Sequence, residues 1–205
     1  MGKGKRLGFV LSTAMMCVAL AATVATAQNT NSGMNTNSGT NMNRSGQMAS
    51  VSSSDRKFAM TAAAGGMAEV ELARMALTRA SSDAVKQYAQ KMIDDHTPAN
   101  EELMSIASSK GITLPSAPDA KMRAMMAKMQ NLSGAAFDRE YIMMAGSKDH
   151  QKMEKLFRDE SMKGRDADLK AFAAKTLPVV QMHLQMARDL HTQMMGSMKD
   201  MKHSM

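Results

Sequence analysis

Beyond residue 54, apolar side chains recur every three to four positions almost to the end of the chain, which is the period of helices packed on one face. The stop and start signals divide this run into four long helices. Helix A is predicted from about Asp55 to Ala80. Ser81-Ser82-Asp83 then ends it and caps helix B, about Asp83 to Ser109, which Gly111 terminates. Residues 112–133 hold Pro115, Pro118 and a short Met-rich amphipathic piece from Asp119 to Leu132. Ser133-Gly134 opens helix C, about Ala135 to Lys163, and Gly164 stops it. Helix D begins near Asp166 and runs past Met194. Pro98 and Pro178 fall inside B and D, where a missing N–H and a ring clash predict a kink or local break.

The pattern also repeats. Asp55-Arg56-Lys57-Phe58-Ala59-Met60 resembles Asp138-Arg139-Glu140-Tyr141-Ile142-Met143, and Val85-Lys86-Gln87-Tyr88-Ala89-Gln90-Lys91 resembles Leu169-Lys170-Ala171-Phe172-Ala173-Ala174-Lys175. The offsets are 83 and 84, and each match starts a helix, A with C and B with D. Two related hairpins joined by a long B–C connection predict an all-α, ferritin-like four-helix bundle over 55–195, with a short extra helix in the connection.

Composition points the same way: with no Trp, two Tyr, five Phe, four Pro and 26 Met, a β-sandwich or barrel is disfavoured. Ahead of the bundle lie two segments of different character. Lys3, Lys5 and Arg6 precede an apolar run from Leu7 to Ala22 and a small-residue site, Ala25-Thr26-Ala27, which predicts a signal peptide over 1–27. A lipid-modified Cys17 fits less well, because Ala14-Met15-Met16 lacks a small residue next to the cysteine. Residues 28–54 are rich in Asn, Ser, Thr and Gly, with Asn29-Thr30-Asn31-Ser32-Gly33 repeated at 35–39, and read as a disordered linker.

Cleavage after Ala27 would leave 178 of 205 residues, and with three basic residues gone and no acid lost the net charge falls from +7 to +4. The only cysteine goes as well, which removes thiol and disulfide chemistry. Mixed charges at +4 and few aromatic rings exclude a nucleic-acid footprint, and no second apolar run is long enough to span a bilayer. The expected location is the periplasm or the cell exterior.

Each predicted helix carries one ligand-type side chain on its apolar stripe. On A, Phe58, Ala62, Gly65, Glu69, Leu72 and Ala76 are spaced 4-3-4-3-4, and on B the stripe of Tyr88, Met92 and Leu103 includes His96. On C, His150 shares a face with Met143, Gly146, Met153 and Phe157, and on D, His183 lies between Val180 and Ala187. Counted from one end of the bundle, Glu69, His96, His150 and His183 fall within about 8 Å axially at about 1.5 Å per residue. Three imidazoles and a carboxylate form a candidate site for zinc, iron or copper. A hydrogen-bonded polar network in the core accounts for the same residues without metal. Asp95 and Asp149 are expected to point elsewhere, as supporting or surface groups. Di-iron bundles need Glu-x-x-His, and Ile93 and Val180 stand where those glutamates belong.

Soft ligands concentrate at the C-terminus. His191, Met194, Met198, Met201 and Met205 are spaced 3-4-3-4, with His203 nearby, a candidate copper(I) or silver(I) site in a Met/His-rich tail over 196–205. Met122, Met125, Met126 and Met129 form a similar cluster. Methionine also fills cores adaptably, and exposed methionine can serve as sacrificial sulfoxide former. No nucleophile elbow or phosphate-binding glycine loop is present, so the reading leans away from an enzyme and leaves a purely structural or interaction bundle as a further alternative. Gly65-Gly66 sits inside a helix and is expected to permit close approach of a neighbour.

Gly65-Gly66-Met67-Ala68-Glu69-Val70-Glu71, Met92-Ile93-Asp94-Asp95-His96-Thr97, Phe137-Asp138-Arg139-Glu140-Tyr141, Asp149-His150 and Thr176-Leu177-Pro178 followed by His183 together resemble the exported bacterial family catalogued as domain of unknown function 4142. The resemblance covers about residues 55–193. It implies a ferritin-like bundle, exported and in some cases associated with the outer membrane, and implies no particular activity.

Overall fold

The computed structural model describes residues 51–203, and their side chains as far as Ser197. The signal peptide over 1–27 with Cys17, nearly all of the 28–54 linker, Met205 and the side chains of Met198, Met201 and His203 lie outside the described residues. Helices α1 (Ser53–Arg79), α2 (Asp83–Ser109), α3 (Ala120–Met129), α4 (Gly134–Tyr141), α5 (His150–Lys163) and α6 (Ala167–His203) make up the described chain, with a π-helical segment, Ile142–Asp149, fusing α4 to α5. No strand occurs among the described residues, and no helix there is long and apolar enough to cross a membrane.

Several boundaries move. Helix α1 starts earlier than expected: Ser52 accepts a hydrogen bond from the Asp55 N–H at 3.2 Å and starts α1 at Ser53, while Val51 packs against the core. The small polar side chains of Ser52, Ser53 and Ser54 suit a linker, but helix capping needs the same chemistry. Both prolines sit inside unbroken helices. Pro98 and Pro178 are exposed, so the carbonyls they leave without a donor, at Asp94 and Ala174, face water. The helix also runs through Gly196 to His203, so the tail begins as a continuation of α6. Helix C is the largest departure. Its middle eight residues are π-helical, and the wider turns bury Tyr141, Ile142, Ala145, Gly146, Asp149 and His150 while leaving Met143 only half-buried.

Two buried aspartates fix how the hairpins meet. Asp138, at the start of α4, accepts from Ser81 N–H (3.1 Å), Ser82 N–H (3.0 Å) and Ser81 Oγ (2.6 Å), in the turn between α1 and α2. Asp55, at the start of α1, accepts from Arg165 N–H (3.3 Å) and Asp166 N–H (2.9 Å), in the turn between α5 and α6. These are the aspartates that head the two repeated motifs, and each satisfies the turn of the other hairpin. The start of α1 thus lies beside the end of α5, and the start of α4 beside the end of α1, so these rods are antiparallel. The 110–133 connection travels the length of the bundle, since Ile112 joins Phe58 in the core while Met129 joins Phe137.

The apolar core falls into two halves. One holds Leu72, Val85, Tyr88, Met92, Phe137 and Tyr141, and the other Phe58, Leu103, Phe157, Leu169, Phe172 and Val180. On every rod the residue between the halves is polar: Glu69, His96, His150 and His183.

A third buried acid sits at the Asp55 end. Burial, with help from the Asp55 and Asp166 carboxylates, pushes Glu160 up to about 7 from an ordinary value of 4.5. An acid raised on folding contributes stability that is complete below its unfolded value and lost as pH rises through its folded one. Wild-type protein should therefore lose stability between about pH 4.5 and 7, and Glu160→Gln should remove that loss. Thermal melts should place the variant about 2–4 °C above wild type at pH 8 and level with it at pH 4.

Candidate metal centre

The four polar side chains predicted to share a layer do meet. Glu69 is 3% exposed, His96 7%, and His150 and His183 0%. The imidazole centroids are 5.7 Å apart for His96–His150, 5.1 Å for His96–His183 and 5.5 Å for His150–His183. One ring nitrogen from each histidine lies within 4.8 Å of those of the other two. Nitrogens bound to one tetrahedral ion sit about 3.4 Å apart given bonds of about 2.0–2.1 Å, so the rings need to close by no more than about 1.4 Å.

Each ring is oriented by a neighbour. His150 Nδ1 lies 2.9 Å from the Ala145 carbonyl, which only accepts, so Nδ1 carries the proton and Nε2 the lone pair. The π-helical segment brings that carbonyl, five residues back, to the ring. His183 Nε2 lies 2.8 Å from Asp95 Oδ2 across the α2–α6 contact, so it donates and Nδ1 is left with the lone pair. His96 Nδ1 is 3.2 Å from Glu69 Oε2, and Glu69 Oε1 is 3.5 Å from His150 Nδ1. The atoms turned away from these partners, His96 Nε2, His150 Nε2 and His183 Nδ1, are buried and have no hydrogen-bond partner.

Glu69 stands at the Nδ1 edges of two imidazoles, not beside the free nitrogens, and so supports the rings from behind. Asp95, expected as a supporting or surface group, takes the supporting place: its carboxylate orients His183. Asp149 is buried as well: Oδ1 pairs with Lys152 at 2.8 Å, and Oδ2 is without a partner. Tyr88 and Tyr141 complete the surroundings. Their hydroxyls are buried and unpartnered, and the Tyr88 ring meets His183 edge-on at 6.4 Å. Sequence reasoning missed both as site residues because they sit on stripes that read as plain core; the Asp-His pairs at 95–96 and 149–150 were the available signal for the acids.

Burial sets the protonation states. It pushes Glu69 up to about 8, aided by the nearby Asp149 charge, so this carboxyl is mostly protonated at neutral pH. It pushes His150 down to about 4, more than offsetting the Ala145 hydrogen bond. It holds His96 well below the usual imidazole value, with His150 and His183 adding to the effect. His183 is lowered by burial too, against the pull of Asp95. Burial pushes Asp95 upward, but hydrogen bonds from Lys91 and His183 outweigh it and hold the group below the ordinary carboxylate value. The core at neutral pH thus holds three neutral imidazoles, with lone pairs on His150 Nε2 and His183 Nδ1, while His96 Nε2 gains one only when Glu69 ionises and accepts from Nδ1.

Among the described residues, several of the other soft-ligand candidates are taken up by packing. Met129 is fully buried, and Met125 and Met126 pack on the same core half, so the 122–129 cluster is divided between core and surface. Met194 also packs against that half, and His191 is half-buried. Gly65 and Gly66 behave as expected: a Cβ on Gly65 would lie 2.6 Å from the Met153 methyl, and one on Gly66 would collide with the Asn100 amide.

No curated protein and no solved structure matches the chain. The sequence model of the family described as Domain of unknown function (DUF4142) matches residues 40–190, close to three quarters of the chain, and the protein belongs to that family.

Proposed function

We propose that this protein is an exported, ferritin-like helical bundle that binds a transition-metal ion through His96 Nε2, His150 Nε2 and His183 Nδ1. The observation that carries the reading is three buried imidazoles, each with a ring nitrogen within 4.8 Å of those of the other two, and with His96 Nε2, His150 Nε2 and His183 Nδ1 left without a hydrogen-bond partner. Each orphaned buried polar atom costs about 1–3 kcal/mol, and a self-contained polar network would have paired them with one another. Coordination satisfies all three at once. The supporting partners, Asp95 on His183, Ala145 O on His150 and Glu69 on His96, are of the kind that fix tautomer and ring direction at metal centres. Three neutral nitrogens suit zinc or copper better than the oxygen-rich sets used for magnesium or calcium, and they also accommodate iron. A cavity of about 20 Å³ beside Glu69 and His96 has room for one water.

The ferritin-like arrangement is supported by the antiparallel rods and the long connection between α2 and α4. Export to the periplasm or beyond, with association at the outer membrane in view, is supported by the basic and apolar character of residues 3–22 and the Ala25-Thr26-Ala27 site. A second role is favoured by the continuity of α6 to His203: positions 191, 194, 198 and 201 then form one stripe with thioether and imidazole ligands for copper(I) or silver(I).

Metal analysis of the protein freed of residues 1–27 tests the main reading. The expected result is one tightly held zinc or copper per chain that survives truncation after Gln193. A protein that takes up no metal from buffered zinc or copper(II), or that loses it with the tail, would sink the central site.

A further inference from the structure

Two cavities meet at one side chain. The inner one, of about 20 Å³, is bounded by Glu69, His96, Thr176 and Phe172 and closed on one side by Met153. The outer one is an open groove of about 540 Å³ between α1, α5 and the 115–122 connection, lined by Met60, Met122, Asp149, Lys152 and again Met153. Met153 lies on α5 opposite Gly65 of α1, with its methyl in the space a Cβ would take. It is half-buried, and three side-chain torsions beyond the backbone make it easier to displace than any aromatic or β-branched residue. The next side chain along the groove is Asp149, whose buried Oδ2 has no partner and whose charge is felt by Glu69.

We propose that the groove beneath Met60 and Met122 is the access route for the metal ion and that Met153 is its gate, with Asp149 as the buried carboxylate on the inner side of the groove. The proposal rests on the metal-binding reading above. An ion held inside the bundle needs a way in, and global unfolding is a slow one; local displacement of one unbranched side chain opens the short path from solvent to His96. Gly65 is what allows the gate to close: without a Cβ on α1, the thioether settles against the helix and seals the inner cavity. The groove is lined by two lysines, Lys121 and Lys152, and two aspartates, Asp119 and Asp149, so its formal charges balance.

The experiment compares full mature protein with Met153→Ala and Met153→Leu, following zinc transfer from a coloured chelator by stopped flow. Met153→Ala should speed both loading and release by about tenfold, leaving the equilibrium affinity within about threefold of wild type. Met153→Leu, branched and stiffer at similar volume, should slow both, and it keeps the test alive if the alanine variant folds poorly. Rates unchanged in both variants while zinc still binds would overturn the gate and leave the site standing. If wild type binds no zinc, the site reading fails, and the gate is judged on the metal-free protein by carbethoxylation of His96, read by peptide mass with His191 as internal reference. Faster modification of His96 in Met153→Ala, with His191 unchanged, supports the gate; equal rates overturn it.

Discussion

Replacing His150 with alanine should weaken zinc or copper binding by more than about a hundredfold, since loss of a mere supporting group already costs about 10–100-fold at such sites. His150 is fully buried, as is His183, and its Nε2 has nothing else to bond. Asp95→Asn should cost about tenfold or more, because His183 then loses the charged acceptor that keeps its proton on Nε2. Glu69 sets the pH dependence. Its carboxyl holds a proton up to about pH 8. While protonated it donates to His96 Nδ1, which forces the imidazole hydrogen onto Nε2. Binding metal at Nε2 expels one proton: Glu69 ionises, and His96 Nδ1–H donates to it. Affinity should therefore rise about tenfold per pH unit between pH 6 and 8 and flatten above that. Glu69→Gln keeps an acceptor for Nδ1–H and has no proton to lose, so its affinity should be nearly flat over the same range. Competition titrations at several pH values read this directly. A wild-type slope of zero, or an unchanged slope in Glu69→Gln, would contradict the assignment.

Asp138→Ala should destabilise the fold more than any other single change at the bundle's ends, by about 3–5 kcal/mol, because three donors lose a buried charged acceptor and two of them are backbone N–H groups. In a domain of this size that corresponds to a fall in Tm of about 10 °C or more. Asp55→Ala, with two backbone donors on the other hairpin, should cost somewhat less. Urea unfolding of the two single variants checks both values. The sites are at opposite ends of the bundle, so the double variant should lose about the sum. A loss below about 1 kcal/mol at Asp138 would mean that water replaces the carboxylate and that the hairpins are held by apolar packing alone.

Much of the architecture was readable from the chain. The period of apolar residues, the Ser81-Ser82-Asp83 and Gly164 stops, and the Asp-headed repeat gave the helices and their pairing, because helix ends and amphipathic faces depend on near neighbours. The meeting of Glu69, His96, His150 and His183 was readable for the same reason: one polar residue on an apolar stripe at a known rise per residue has few places to go. What the sequence did not disclose was which atom faces which. Whether Glu69 stands among the ligands or behind them depends on ring rotations set by Asp95, Ala145 O and the π-helical turns, and contacts between residues 88 positions apart leave no local signature. The eight π-helical residues were invisible because the α-period matches their neighbours on both sides and only packing against α6 decides how the middle winds. The same holds for Met122 to Met129: four methionines at one spacing read as a single cluster, and the tertiary structure sends Met129 into the core and leaves Met122 lining the outer groove, since burial is settled by what lies across the interface rather than by the residue itself.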